Sequence, residues 1–208
     1  VGATAGVVDG IAGNVVLVSP QDISEIKSVL KADKDIAAVI VEPTGSSFGM
    51  VPMSKEFLQT VRVLTEEENV LFIFDEVVTG FRCSPGGAQK AFGIKPDLTT
   101  LAKILAGGLP GGAVSGRKDI LDDLDFERAA LLGREKIGHP GTFNANPVSA
   151  AAGIAALKII ERSDACEKAN QSAAVLREKF NEILEKQNIP WVAYGTFSGV
   201  HLYMNRNG

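Results

Sequence analysis

Three observations predict an α/β fold with a mostly parallel sheet, in three layers of helix, sheet and helix. Short apolar runs rich in Val, Ile, Leu, Phe and Thr recur along the chain (IAAVIV, VLFIF, DLTTLA), and each reads as a strand buried on both faces. Amphipathic segments of helical period separate them, each spacing amounting to about one βαβ unit. A charged residue stands just past or at the end of each run: Glu42, Asp75 and Lys103. The carboxyl rim of an open α/β sheet is where ligands bind. Two acids and a lysine meeting there need a chemical reason, because unpaired buried charge is costly.

The elements follow in order. Residues 1–14 are Gly-rich and without periodicity, and VVLV at 15–18 reads as a strand. Pro20 and Asp22 open an amphipathic helix, DISEIKSVLKA. The strand to Glu42 and the loop PTGSSFGMVP come next. A helix is predicted over Lys55 to Glu68, with Phe57, Leu58, Val61 and Leu64 on one face. The strand to Asp75 leads into the Gly/Pro-rich loop TGFRCSPGG, then a short helix near Ala88–Phe92 and the strand to Lys103. AVSG at 113–116 is a further short strand, and Arg117 to Leu124 is helical. GREKIGHPGTFNANP is irregular. Pro147 to Arg162 and Asp164 to Gln187 are two helices. IPWVAYGTFSGVHLYMN alternates as antiparallel strands do, and reads as the opening of a small α+β subdomain. The predicted division is 1–188 for the large domain and 189–208 for the start of the small one.

Composition narrows the function. Hydrophobic residues make up 45% of the 208, enough for a true core. A net charge of −4 argues against an electrostatic grip on nucleic acid or an anionic membrane. No stretch is apolar for long enough to span a bilayer, and no basic leader stands at the N-terminus. Cys83 and Cys166 match no metal spacing, so a reducing, cytoplasmic setting is expected.

Lys103 is followed by Ile104, Leu105, Ala106, Gly107 and Gly108. Apolar surroundings disfavour the ammonium, and a neutral lysine amine attacks carbonyls. The alternative is a lysine snorkelling at a helix start. Asp75 ends VLFIFD and suits a cation supplied by a ligand, such as the ring nitrogen of pyridoxal phosphate, which a carboxylate keeps protonated. An N-cap or the metal-binding aspartate of a nucleotide hydrolase are alternatives, but GxxxxGK[ST] occurs nowhere. A nucleotide-binding oxidoreductase would need GxGxxG after an early strand, which is also absent.

LFIFDEVVTGFR, PDLTTLAKILAGGLPGGAVSGR and PGTFNANPVSAAAGIAAL, in this order and spacing, resemble class III pyridoxal-phosphate aminotransferases, nearest to the glutamate-1-semialdehyde aminomutase branch. Arg82 directly after Phe81, and GGAQ after it, fit that branch better than the one with Gly-Arg-Thr-Gly at this place. The resemblance covers the chain from about Asp22 to the end. It implies the large domain of the fold-type-I transferases, amino-group transfer on an amino or keto acid substrate, and a homodimer. It implies a Schiff base on Lys103, which also shuttles the proton, and Asp75 as partner of the pyridine nitrogen. Val77 would pack on the cofactor ring. Glu42, in VEP, would lie on the cofactor or substrate side of the cleft. Thr142, in GTF, would reach the cofactor phosphate across the dimer interface. From spacing alone Thr142 reads equally as part of an N-cap ahead of Pro147.

Ser46-Ser47 stands where the aminomutases carry Gly-Asn, which leaves mutase and transaminase chemistry both open. Racemisation and decarboxylation run on the same scaffold. The family's main phosphate cup and stacking aromatic are expected upstream of Val1, and most of its C-terminal domain beyond Gly208. The chain therefore reads as the central part of an enzyme; the alternative is a fragment that folds and dimerises without cofactor. Among other residues, His139 and His201 are expected to be structural, and Trp191 and Phe197 to be core of the small subdomain. Arg82 is expected to pair with an acid, the alternative being a substrate carboxylate, and Glu76 to salt-bridge locally. Residues 178–186 are expected to form a solvated helix face.

Overall fold

The computed structural model describes residues 6–45 and 51–204. Four short strands form one sheet in the order β1 (Ala38–Val41), β2 (Leu71–Glu76), β3 (Leu98–Leu101), β4 (Ala113–Gly116). β1·β2 and β2·β3 are parallel, with Val41 opposite Phe74 and Asp75 opposite Thr100. β4 runs antiparallel to β3. Its direction was not legible in AVSG; the Gly/Pro-rich segment 107–112 turns the chain back along its own strand.

Two helices cover one face of the sheet, α2 (Ile23–Ala32) and α3 (Lys55–Glu67). Asp22 starts α2 by accepting the Glu25 N–H at 3.0 Å, and Ser54 starts α3 by accepting the Phe57 N–H at 3.1 Å. Each cap satisfies a backbone donor that the first helical turn leaves unpaired. Ile26 and Leu30 of α2 meet Phe57, Leu58, Val61 and Leu64 of α3 above Val41, Phe72 and Phe74. Phe72 and Phe74, two apart on β2, stack edge to face at 5.0 Å. Burying each contributes about 2–3 kcal/mol relative to leaving it in water. Strand alternation turns Ile73 and Asp75 to the other face, where Ile40 of β1 is 62% exposed.

At the opposite, amino end of the strands, Asp97 leads into β3. It accepts the Phe72 N–H at 2.8 Å and the guanidinium groups of Arg62 at 2.8 Å and Arg117 at 3.2 Å. Burial pushes this carboxyl up, but the hydrogen bonds from Phe72, Arg62 and Arg117 outweigh it and hold it below its ordinary value.

The remaining helices are α1 (Asp9–Ala12), α4 (Gly87–Phe92), α5 (Lys118–Leu121), α6 (Phe126–Leu131), α7 (Pro147–Arg162) and α8 (Ala165–Lys186). The 3-10 turn Asp122–Leu124 continues α5, as the predicted helical stretch required. α6 escaped the sequence reading, although Asp125 is a cap that accepts the Glu127 and Arg128 N–H groups. β5 (Trp191–Tyr194) and β6 (His201–Met204) form a separate antiparallel pair. Asn181 of α8 ties to this pair by exchanging two hydrogen bonds with the Ala193 backbone, at 2.9 and 2.7 Å.

Two structural expectations need correction. VVLV at 15–18 is not a strand: Val15, Val16 and Leu17 are 62, 54 and 86% exposed, and only Val18 touches the core. An apolar run becomes a strand only where a neighbour completes its hydrogen bonds. Trp191 is 42% exposed rather than core, whereas Phe197 packs edgewise on Phe92 at 5.7 Å. His201 stacks against Tyr194 at 5.4 Å. Lys179 and Glu182 pair on the outer face of α8 at 2.8 Å, in keeping with a solvated face there.

Candidate active site

Parallel register brings the predicted residues to one end of the sheet. Asp75 is the next-to-last residue of β2, half-buried, and its Oδ1 accepts the Thr100 hydroxyl at 3.0 Å and the Val77 N–H at 3.1 Å. Among the described residues Oδ2 has no hydrogen-bond partner. One oxygen is therefore aimed by two donors while the other is left open. Val77 opens the turn that follows β2 and is itself half-buried.

Lys103 lies three residues beyond Thr100, at the start of a 3-10 turn, Lys103–Ala106. Its φ is 49°, the left-handed region that a residue with a Cβ rarely enters. Such backbone costs of order 1 kcal/mol or more and persists only where surrounding structure imposes it. Here the constraint is α7. Gly107 approaches so closely that a Cβ on it would lie 2.4 Å from the Ala152 carbonyl oxygen, and a Cβ on Gly153 would lie 2.4 Å from that of Leu105. The two glycines let the turn and the helix touch backbone to backbone.

The expectation of an apolar envelope around Lys103 is not met: the residue is exposed, and no ion pair or hydrogen bond joins it to Asp75 among the described residues. The apolar neighbours in sequence point elsewhere, with Ala106 buried and Ile104 and Leu105 half-buried against α7.

Glu42 follows β1 directly and is half-buried; its Oε1 accepts the Thr44 hydroxyl at 2.8 Å and the Thr44 N–H at 3.2 Å. It flanks β2 on the side away from Lys103. The Ser46-Ser47 pair lies outside the described residues. Thr142 is exposed on the loop before α7, and the cap there is Asn146, whose side chain accepts the Val148 and Ser149 N–H groups. That settles the N-cap alternative against Thr142. A cavity of about 750 Å³ separates Phe143, Asn144 and Asn146 of this loop from Leu105 and Ala106 of the lysine turn.

Two neighbouring expectations are overturned. Arg82 forms no ion pair among the described residues; its Nε donates to the Val78 carbonyl at 3.0 Å, because the turn curls that oxygen back beneath it. Glu76 makes no salt bridge among the described residues; it is 1% exposed and held by uncharged donors. Thr100 and Thr44, which aim the two acids, were missed. The only sequence signal was a hydroxyl residue near each charge, and a strand register was needed to read the first. Among the described residues no three His, Cys, Asp or Glu side chains gather as a metal site.

Among the described residues, then, a carboxylate with one oxygen unclaimed and an amine with no partner both stand at the carboxyl rim of the parallel strands. Residues 14–207 match the class-III aminotransferase family, and the chain belongs to that family. Over 185 residues it is 38% identical to a glutamate-1-semialdehyde 2,1-aminomutase of Chloroherpeton thalassium, a match covering 88% of this chain and 41% of that one. An omega-transaminase from Sphaerobacter thermophilus superposes with a TM-score of 0.87 at 31% identity, covering 99% of this chain and 46% of the other. A glutamate-1-semialdehyde aminomutase from Pseudomonas aeruginosa PAO1, also solved in complex with PMP, superposes at 0.76 with 29% identity, covering 91% and 42%. The chain spans under half the length of these relatives.

Proposed function

We propose that this chain is the central, cofactor-holding part of a pyridoxal-phosphate-dependent aminotransferase or aminomutase. The observation that carries the reading is Lys103: a lysine without a partner among the described residues, in strained left-handed backbone, at the same rim of the sheet as an acid already aimed by Thr100 and Val77. The residues fit the group, since Asp75 keeps one carboxylate oxygen for a ring N–H and Lys103 keeps its amine for a carbonyl. When bound, pyridoxal phosphate supplies an aldehyde that condenses with amines and a pyridinium that draws electron density from the carbon undergoing reaction.

Each residue then has a defined task. With the group bound, Asp75 would keep a proton on the ring nitrogen. The Lys103 amine would hold the aldehyde end of the group and would move the proton at the substrate α-carbon. Val77 would pack on the ring, and Glu42 would line the substrate side. Thr142 serves the phosphate of a second copy across a homodimer interface. Residues 1–188 belong to the large domain and 189–208 to the small one. The substrate is an amino or keto acid, and the setting is the cytoplasm; among the described residues no helix is long and apolar enough to cross a membrane.

The test is reduction of the intact protein with borohydride in the presence of pyridoxal phosphate, followed by peptide mapping. The label is expected on Lys103 and is expected to vanish in Lys103→Ala; label on another lysine would refute the assignment. The exposure of Lys103 favours a second reading, a chain that folds and dimerises without cofactor. Failure to develop a yellow colour with pyridoxal phosphate would support it.

A further inference from the structure

We infer that Glu76 is a positioning residue: from the back of the sheet it sets Asp75 and the turn that carries Val77. The inference rests on the role proposed above for Asp75. Adjacent strand residues face opposite ways, so Glu76 turns its side chain from the site into the interior, where it is 1% exposed. Four donors converge on its carboxylate. Oε2 accepts the Thr79 hydroxyl at 3.1 Å and the Ala88 N–H at 2.5 Å; Oε1 accepts the Gln89 N–H at 3.2 Å and the Gln89 side-chain amide at 3.1 Å. No Lys, Arg or His pairs with it among the described residues.

A buried carboxylate without a cation is costly unless its lone pairs are filled, and here all four donors point at it. A neutral amide could not replace it, because its NH₂ would face backbone N–H groups. The surroundings are shaped to this group. Gly87 has a φ of +68°, and a Cβ on it would stand 2.2 Å from Oε2. The same glutamate's carbonyl accepts the Gly80 N–H at 2.9 Å. Residues 76–89 thus form a loop closed at both ends on one residue. Gln89 carries the tie onward to the Thr99 hydroxyl of β3 at 3.3 Å. Thr99 backs Thr100, the residue that aims Asp75.

The link to the front face is the Val77 N–H, which donates to Asp75 Oδ1 at 3.1 Å. Its direction follows from the peptide plane between Glu76 and Val77. With the Glu76 side chain locked behind and the turn locked ahead, that plane has one orientation. Freed, it releases one of the two donors holding Asp75.

The test uses Glu76→Gln, and Thr79→Val should the first variant not fold. Amide hydrogen exchange without cofactor reads the anchor. Val77, Gly80, Ala88 and Gln89 are expected to exchange at least about tenfold faster, with the α3 amides unchanged. The pH midpoint of the visible absorption of bound pyridoxal phosphate reads Asp75, and it is expected to move because the ring nitrogen loses its fixed partner. A purely structural glutamate would lower the melting temperature and leave that midpoint in place. Unchanged exchange at Val77 overturns the inference. So does faster exchange with an unmoved midpoint, which would confine Glu76 to the turn. A wild-type protein that takes up no pyridoxal phosphate overturns the cofactor reading instead, and exchange at Val77 still decides the anchor.

Discussion

Thr100 and Asp75 are register partners across β2 and β3, and their side chains meet: the threonine hydroxyl donates to Asp75 Oδ1 at 3.0 Å. Directly paired residues in a sheet project from the same face, so the contact follows from the register itself. It is one of two donors that aim the acid. A hydrogen bond to a charged acceptor contributes about 1.5–3 kcal/mol.

Thr100→Val keeps the shape and removes that donor. Cofactor binding, followed by titration of the visible absorption, is expected to weaken roughly tenfold, the scale of a misoriented group. Asp75→Asn is expected to retain cofactor and to lower turnover about 100-fold or more. Wild-type turnover in Asp75→Asn would remove the acid from the mechanism.

Gly153→Ala tests the seat of Lys103. Alanine favours a helix, so on propensity alone the change would stabilise α7. The new Cβ would lie 2.4 Å from the Leu105 carbonyl oxygen, and overpacking of this kind costs about 1–3 kcal/mol. The melting temperature is expected to fall and labelling of Lys103 to decline with it. A higher melting temperature would mean that the turn and α7 separate easily.

Asp97 makes stability depend on acid. Its folded carboxyl ionises more readily than in the unfolded chain, because Phe72, Arg62 and Arg117 donate to it against the cost of burial. Its contribution is therefore complete above the unfolded value of about pH 4 and disappears as pH falls through the lower folded value. Asp97→Asn is expected to cost about 3 kcal/mol at pH 7, since two guanidinium groups lose their partner, and to flatten the acid limb of a stability curve. A variant as acid-sensitive as wild type would place the titrating group elsewhere.

Cys83 is expected to be inert. Burial pushes its thiol up to about 12, with further increments from the charges of Glu76 and Glu42. Burial also raises Cys166, whose sulfur donates to the Phe81 carbonyl at 3.2 Å. Since the thiolate is the nucleophile, an aromatic disulfide reagent at pH 8 should label neither residue until the protein unfolds. Prompt labelling of one thiol would show that the turn after β2 opens in the native state.

Much of this was legible in the chain. Helical period and caps placed α2, α3, α7 and α8 to within a residue or two, because local hydrogen bonds and one buried stripe suffice to define a helix. The strands ending near Glu42, Asp75 and Lys103 were equally plain, since short runs of this composition, separated by helical segments, suit neighbouring strands of a parallel sheet. VVLV at 15–18 misled because the same composition exists without a neighbouring strand. Glu76 was expected to salt-bridge locally; the uncharged site that holds it instead depends on Gly87 and Gln89, eleven and thirteen residues away.

By itself, then, the sequence determined the kind of fold and which charged groups reach the carboxyl rim of the sheet, since strand period and strand ends are local properties. Only the tertiary structure decided how those groups are aimed. Thr100 on Asp75, Glu76 behind it and α7 beneath the lysine turn all arise from register and backbone contact between segments distant in the chain, and no local pattern encodes a distance between strands.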